Sequence, residues 1–175
     1  MDNLKAALAG DSDPRDVQVL RRDVVALAET MDVADIETLW TWSVEGGFRF
    51  GLRISSGQEW MRIIAGECTS WLSTRGEEEL SAEDLDPGRD HVDEALGEIS
   101  SLARTGFDES VISALSRCVR QCSPELGIRF LLRAVSATGT DIGREQYERL
   151  LRLGDAFRYG RFVVPEVEGL ISWEG

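Results

Sequence analysis

Apolar residues recur at three- and four-residue spacing along most of the chain, which is the pattern of helices that bury one face. The clearest stripe begins after Asp13, where an aspartate cap precedes Pro14 at the first helical position. Comparable spacing or start signals recur five more times. The pattern therefore predicts about six substantial helices, at approximately 13–31, 57–73, 86–103, 107–122, 123–137 and 144–160, with a shorter one at 2–9.

Between Trp40 and Ile54 the apolar period changes from about 3.6 residues to 2. The two alternating runs share one face only if Val44 opposes Phe48, which requires a three-residue loop containing two glycines. This register predicts one β-hairpin near residues 38–54, packed on the bundle of about six helices. The expected fold class is therefore α+β, mainly helical.

Two other segments complete the prediction. A helix over 33–44 is the alternative to the first strand, because Val33, Ile36 and Trp40 also fit the helical period. The segment 161–174 is expected to be extended, with Pro165 marking an edge or a turn. With no fixed-period repeat and no low-complexity linker, the pattern predicts a single globular domain over 1–175.

The acidic residues of the chain are concentrated in one segment. Ten acidic residues and one base, Arg89, lie between residues 77 and 98, so this segment carries a formal charge of −9 out of −13 for the chain. Carboxylates clustered on one side of a protein steer the association of basic partners. We predict that a basic protein partner binds Glu83, Asp84, Asp86, Asp90, Asp93, Glu94 and Glu98. The alternative is a solvated loop and helix face that keeps the protein soluble.

The same charge argues against other partners. Binding of nucleic acid or anionic lipid needs clustered lysine and arginine, which an acidic chain with a pI near 4.5 does not offer. No apolar run approaches the roughly 20 residues that span a bilayer. The N-terminus lacks the basic and apolar regions of a signal peptide, and the three cysteines do not suggest a disulfide framework. We therefore expect a cytoplasmic protein without a nucleic-acid or membrane partner.

Catalytic chemistry has few candidate residues here. His91 is the only histidine and lies among carboxylates, which favours a solvated surface residue over a catalytic base. Cys118 and Cys122 lie one helical turn apart, but with Cys68 they fall short of a four-ligand zinc site, and packing explains them better. No phosphate-binding glycine pattern occurs. We predict no enzymatic activity, no cofactor and no metal, and the reactivity of the three cysteines stays open.

Small, acidic, mainly helical chains without catalytic residues are the physical type of immunity proteins and antitoxins. Such proteins block the basic active site of a toxin, for example a nuclease. The likeness is one of physical type and rests on no sequence motif. We therefore expect an acidic protein-binding module, most simply an immunity- or antitoxin-type inhibitor. The alternative is a small-ligand-binding regulator or an enzyme with an unrecognised pocket.

Overall fold

The computed structural model describes residues 12–44, 50–51, 54–76, 78–159 and 164–172. Within these ranges the protein is mainly helical. The α-helices are α1 (Pro14–Thr30), α2 (Val33–Ser43), α3 (Gly57–Ser73), α4 (Ala82–Leu85), α5 (Val92–Ser101), α6 (Glu109–Gln121), α7 (Pro124–Thr138) and α8 (Arg144–Ala156). Short 3-10 helices cover Leu102–Thr105 and Pro165–Leu170. The strands β1 (Ile142–Gly143) and β2 (Ile171–Ser172) form a two-residue parallel pair.

Polar caps fix where several of these helices begin. The Asp13 carboxylate accepts a hydrogen bond from the Arg15 amide at 2.8 Å, and Pro14 occupies the first turn of α1. The Ser123 hydroxyl accepts one from the Leu126 amide at 3.1 Å, at the start of α7. Because each cap satisfies an amide that has no partner inside its helix, the predicted start signals at these positions are confirmed.

Helix α7 lies at the centre of the bundle, and its sequence is apolar nearly all round. Nine of its fifteen residues are buried, and it packs against α2, α5 and α6. A side chain added at Gly127 would meet the Val119 methyl at 2.3 Å, so a glycine is what permits the close approach of α6 to α7. Helices α1 and α3 pack against each other beside this centre.

The predicted β-hairpin is wrong in its first strand. Residues 38–43 belong to α2, in which Ile36 and Leu39 are each only 1 % exposed. Burial at this three-residue spacing is satisfied by a helix and not by a strand, whose successive side chains alternate between faces. Residues 45–49 and 52–53, which hold most of the predicted loop and second strand, lie outside the described residues.

A second correction concerns the helix that was expected to begin at Asp86, which begins at Val92. Residues 87–90 form a turn, and Asp86 ends the preceding helix α4. Gly88 is buried against the ring of Phe157, where an added Cβ would lie 1.9 Å from Cδ1. The turn that contacts this ring lies between the two helices of the acidic segment.

The C-terminal prediction needs a similar correction. Among the described residues of the segment expected to be extended, Pro165–Leu170 form a 3-10 helix and Ile171–Ser172 form a strand. Ile171 pairs with Ile142, and both side chains are buried, which ties the end of the described chain to the start of α8. The short helix predicted at 2–9 lies outside the described residues.

Among the residues that the structure describes, none of the helices combines the length and the apolar character needed to cross a bilayer.

Candidate functional site

The acidic segment is held by one side-chain cap and one ring contact. The Ser81 hydroxyl accepts a hydrogen bond from the Asp84 amide at 3.1 Å and starts α4. The turn that follows is packed under Phe157 through Gly88. Asp93 and Glu94 then occupy the first turn of α5, where the helix dipole favours negative charge. The sequence thus places its carboxylates on two short helices and the turn between them.

Four of the seven predicted partner-binding residues are exposed: Glu83, Asp90, Asp93 and Glu94. We call these four residues the acidic surface. Within the described ranges none of them forms an ion pair with an arginine or lysine. The Glu94 carboxylate lies 3.1 Å from His91 Nδ1. Their charges are therefore available to an external partner.

Asp84 is instead engaged within the molecule. Its Oδ2 accepts a hydrogen bond from the Ser81 hydroxyl at 2.7 Å, and its Oδ1 accepts one from Arg158 Nη1 at 3.2 Å. These two interactions, that of Ser81 being the larger, lower the pKa of the Asp84 carboxyl below its ordinary value. Asp84 is only partly available as a contact for a partner.

Asp86 points toward the interior. Its Oδ1 lies 3.7 Å from Arg22 Nη1, and its side chain is 18 % exposed. Burial raises the pKa of this carboxyl, Glu125 raises it further, and Arg22 opposes the shift. Asp86 therefore lies at the edge of a buried group of charges and outside the acidic surface.

Glu98 is fully internal, at 5 % exposure. Its carboxylate accepts hydrogen bonds from the Arg149 guanidinium, and its backbone carbonyl accepts one from the Gln146 amide at 3.4 Å. Both partners lie on α8, so Glu98 connects α5 to α8. The structure thus separates the seven predicted residues into four exposed ones and three that contact arginines of the chain itself.

A buried group of charges joins α1 to α7. It consists of Arg22 and Asp23 on α1 with Glu125 and Arg129 on α7, and we call it the charge cluster. Asp23 Oδ2 lies 2.9 Å from Arg129 Nη1, and Glu125 Oε2 lies 3.0 Å from Arg22 Nη2. The Tyr159 hydroxyl donates a hydrogen bond to the Glu125 carbonyl at 2.7 Å. Each acid therefore faces a guanidinium from the other helix.

The electrostatics of the charge cluster follow from its burial. Burial raises the pKa of the Asp23 carboxyl, although Arg129 and Arg22 act in the opposite direction. Burial would lower the pKa of Arg129, but Asp23 and Glu125 outweigh it, and the net direction is upward. The pKa of Tyr159 is also raised, first by burial and then by Glu125. The guanidinium groups therefore stay charged, and the tyrosine stays protonated.

The helical pattern of the sequence did not reveal this cluster, although the position of Asp23 is a signal for it. Asp23 lies between Leu20 and Val24, on the apolar stripe of α1, where a carboxylate is unexpected without a partner. Its partners on α7 lie more than 100 residues away in the chain. Sequence spacing alone gives no means of identifying them.

The three cysteines are free thiols in different environments. Cys68 and Cys118 are buried, and burial raises the pKa of the Cys68 thiol. Cys122 is partly exposed, with Sγ 3.3 Å from the Thr30 hydroxyl. The pKa of Cys122 is lowered, chiefly by a hydrogen bond with Cys118 and then by the one with Thr30, while its burial opposes this.

Among the described residues no group of three or more metal-ligating side chains comes together.

A cavity of about 600 Å³ opens between α1, α2 and α7. Apolar side chains from all three helices line it, among them Leu20, Trp40 and Phe130. Asp23 and Arg129 of the charge cluster also lie in its wall. The cavity therefore combines apolar walls with a few polar groups, the composition typical of small-molecule sites.

Comparison of the chain with protein-family models, curated proteins and solved structures finds no match.

Proposed function

We propose that this protein is an acidic protein-binding module whose acidic surface, Glu83, Asp90, Asp93 and Glu94, binds a basic protein partner. The expected role is that of an immunity- or antitoxin-type inhibitor, which blocks a basic toxin such as a nuclease. The observation that carries the proposal is the exposure of four carboxylates within twelve residues of chain, none of them paired with an arginine or lysine of the described ranges.

The intramolecular ion pairs support this choice of residues. Asp84, Asp86 and Glu98 each lie close to an arginine of the chain itself. The four carboxylates of the acidic surface are left without such compensation, and their mutual repulsion opposes folding slightly. A charged patch of this kind raises the rate at which a basic partner is captured.

The size of the electrostatic contribution can be measured through its salt dependence. The Debye length falls from about 30 Å at 0.01 M salt to about 8 Å at 0.15 M. Association driven by the acidic surface should therefore be fast at low salt and should slow markedly at physiological ionic strength. The dissociation rate should change less, because steering acts before contact.

The test uses the product of the adjacent open reading frame as the candidate partner. Binding is measured by titration calorimetry and stopped flow at both salt concentrations, first with the unmodified chain. The test variant combines Asp90→Asn, Asp93→Asn and Glu94→Gln, and at low salt we expect it to associate about tenfold more slowly.

The control variant combines Glu29→Gln, Asp141→Asn and Glu145→Gln, three exposed acids on other elements. It removes the same total charge, so any difference between the two variants reports the position of the charges. Equal slowing by both variants would assign the effect to net charge alone. Absence of binding to the products of both neighbouring reading frames would contradict the inhibitor role.

The alternative function, a small-ligand-binding regulator, is favoured by one specific observation. This is the cavity between α1, α2 and α7, which lies outside the acidic segment.

A further inference from the structure

We propose that the cavity between α1, α2 and α7 binds a small amphipathic carboxylate, with its apolar body among Leu20, Trp40 and Phe130 and its carboxylate at Arg133. This site is separate from the acidic surface, so the proposal is tested independently of the proposed protein partner.

The size and the walls of the cavity define the apolar part of the ligand. Its volume of about 600 Å³ falls within the range of roughly 300–1,000 Å³ found for small-molecule sites. Leu20, Trp40 and Phe130 line the cavity and are each only partly buried against the core. An apolar ligand that covers them removes this surface from water, which is favourable.

The polar groups of the cavity define the head group. Arg133 and Ser136 lie three residues apart on α7, so their side chains share one face of the helix. Arg133 is exposed and has no carboxylate partner among the described residues. A planar guanidinium with open donors matches the geometry of a carboxylate.

The other charges in the wall do not compete for this role. Asp23 is 3 % exposed and faces both Arg22 and Arg129, so its negative charge is compensated inside the charge cluster. The described residues lining the cavity include two arginines and one aspartate, a formal charge of +1 within a chain of −13. The local charge therefore favours an anion, although the protein as a whole favours cations.

This contrast makes the head group a sharp test. Decanoate, decan-1-ol and decylamine share one chain length and differ in charge, and each is titrated calorimetrically into the full chain below its aggregation concentration. We expect one decanoate per chain, bound about tenfold tighter than decan-1-ol, with decylamine weakest. Non-specific attraction to an acidic protein would give the reverse order, with decylamine tightest.

Two variants assign the binding to the cavity. Arg133→Gln should weaken decanoate about tenfold and leave decan-1-ol unchanged, because it removes only the charged donor. The matched control Arg62→Gln changes an exposed arginine on α3, outside the cavity, and should leave all three affinities unchanged. Ala137→Trp places a large ring in the cavity and should abolish binding of decanoate and decan-1-ol alike.

Circular dichroism and the thermal midpoint show whether each variant is folded. Should Ala137→Trp fail to fold, Arg133→Gln decides the question, since it alters an exposed side chain. The proposal is overturned if decanoate does not bind, if the three head groups bind equally, or if decylamine binds tightest. It is also overturned if Arg133→Gln leaves decanoate binding intact or if folded Ala137→Trp retains it.

Discussion

Asp84 and Asp86 stand two residues apart and interact with arginines on opposite ends of the chain. Asp84 Oδ1 lies 3.2 Å from Arg158 Nη1, whereas Asp86 Oδ1 lies 3.7 Å from Arg22 Nη1. The pKa of Asp84 is lowered by its hydrogen bonds, and that of Asp86 is raised by burial. Neighbouring carboxyls of one acidic segment should therefore affect stability in opposite directions as the pH changes.

For Asp84 the ionised form is favoured in the folded protein. Its contribution to stability is present above the ordinary carboxyl pKa of 3.8 and is lost as the pH falls through the lowered folded value. We expect Asp84→Asn to be less stable than the unmodified protein at pH 7. The difference should disappear on acidification below 3.8.

For Asp86 the ionised carboxylate has the opposite effect on stability, because the folded protein holds the proton more tightly than the unfolded chain does. We expect Asp86→Asn to be more stable than the unmodified protein at pH 7, and this gain should vanish as the pH falls to 3.8 and below. Urea unfolding of the three proteins between pH 7 and pH 3 measures both effects. Shifts of the same sign in the two variants would contradict this prediction.

Glu98 and Glu94, on the same helix, separate an interior role from a surface role. Glu98→Gln removes the charged partner of Arg149 in the interior, and we expect a loss of about 2 kcal/mol in the free energy of unfolding. Glu94→Gln is the matched control, because Glu94 is exposed, and its stability should stay close to that of the unmodified protein. Equal losses in chemical denaturation would show that Glu98 does not join α5 to α8.

Gly88 and Gly97 test whether Phe157 shapes the acidic segment. In Gly88→Ala the new methyl group would lie 1.9 Å from the Phe157 ring, so the ring or the turn must move, at a cost of about 1–3 kcal/mol. In Gly97→Ala the methyl group enters open space inside α5, and we expect a gain of about 0.5–1 kcal/mol from helix propensity. Thermal unfolding of both variants provides the measurement, and a neutral Gly88→Ala would argue against the ring contact.

Cys122 should be the most reactive thiol of the folded protein. It is partly exposed with a lowered pKa, whereas Cys68 and Cys118 are buried and have raised pKa values. Iodoacetamide at neutral pH should therefore alkylate Cys122 first, as read by peptide mass spectrometry. Thr30→Val removes one of its hydrogen bonds and should slow the reaction.

The contrary result would be equal labelling of all three thiols in the native protein. A control in denaturant, in which every thiol is exposed, gives the reference rates for this comparison.

The sequence predicts the helices well because their signals are local. Asp13 and Ser123 cap the helices that follow them, and each cap requires residues only two or three positions away. The secondary structure predicted around Trp40 was wrong because the local pattern is ambiguous there. The apolar residues fit the two-residue period of a strand and the period of a helix equally well. Ile36 and Leu39 are buried, and α2 packs against α6 and α7, so tertiary contacts decide for the helix.

The candidate site could likewise be predicted only in part. Glu83, Asp90, Asp93 and Glu94 are exposed, as expected for carboxylates in a charged segment. The contacts of Asp84, Asp86 and Glu98 depend on arginines that lie on other elements, between 51 and 74 residues away. Charge composition identifies an acidic segment, but only the packing of the helices shows which of its members remain available.

The charge cluster also restricts how α1 and α7 can be aligned. A shift of one helix along the other by a single turn, about 5.4 Å, would break the pairs of Asp23 with Arg129 and of Glu125 with Arg22. Each charge would then keep only the partner on its own helix, while Asp23 and Glu125 would stay buried. Removing a partner from a buried charge destabilises the fold, whereas apolar neighbours such as leucine and valine can often be exchanged at little cost. The ion pairs between α1 and α7 thus select one register of two helices whose apolar faces alone would tolerate several.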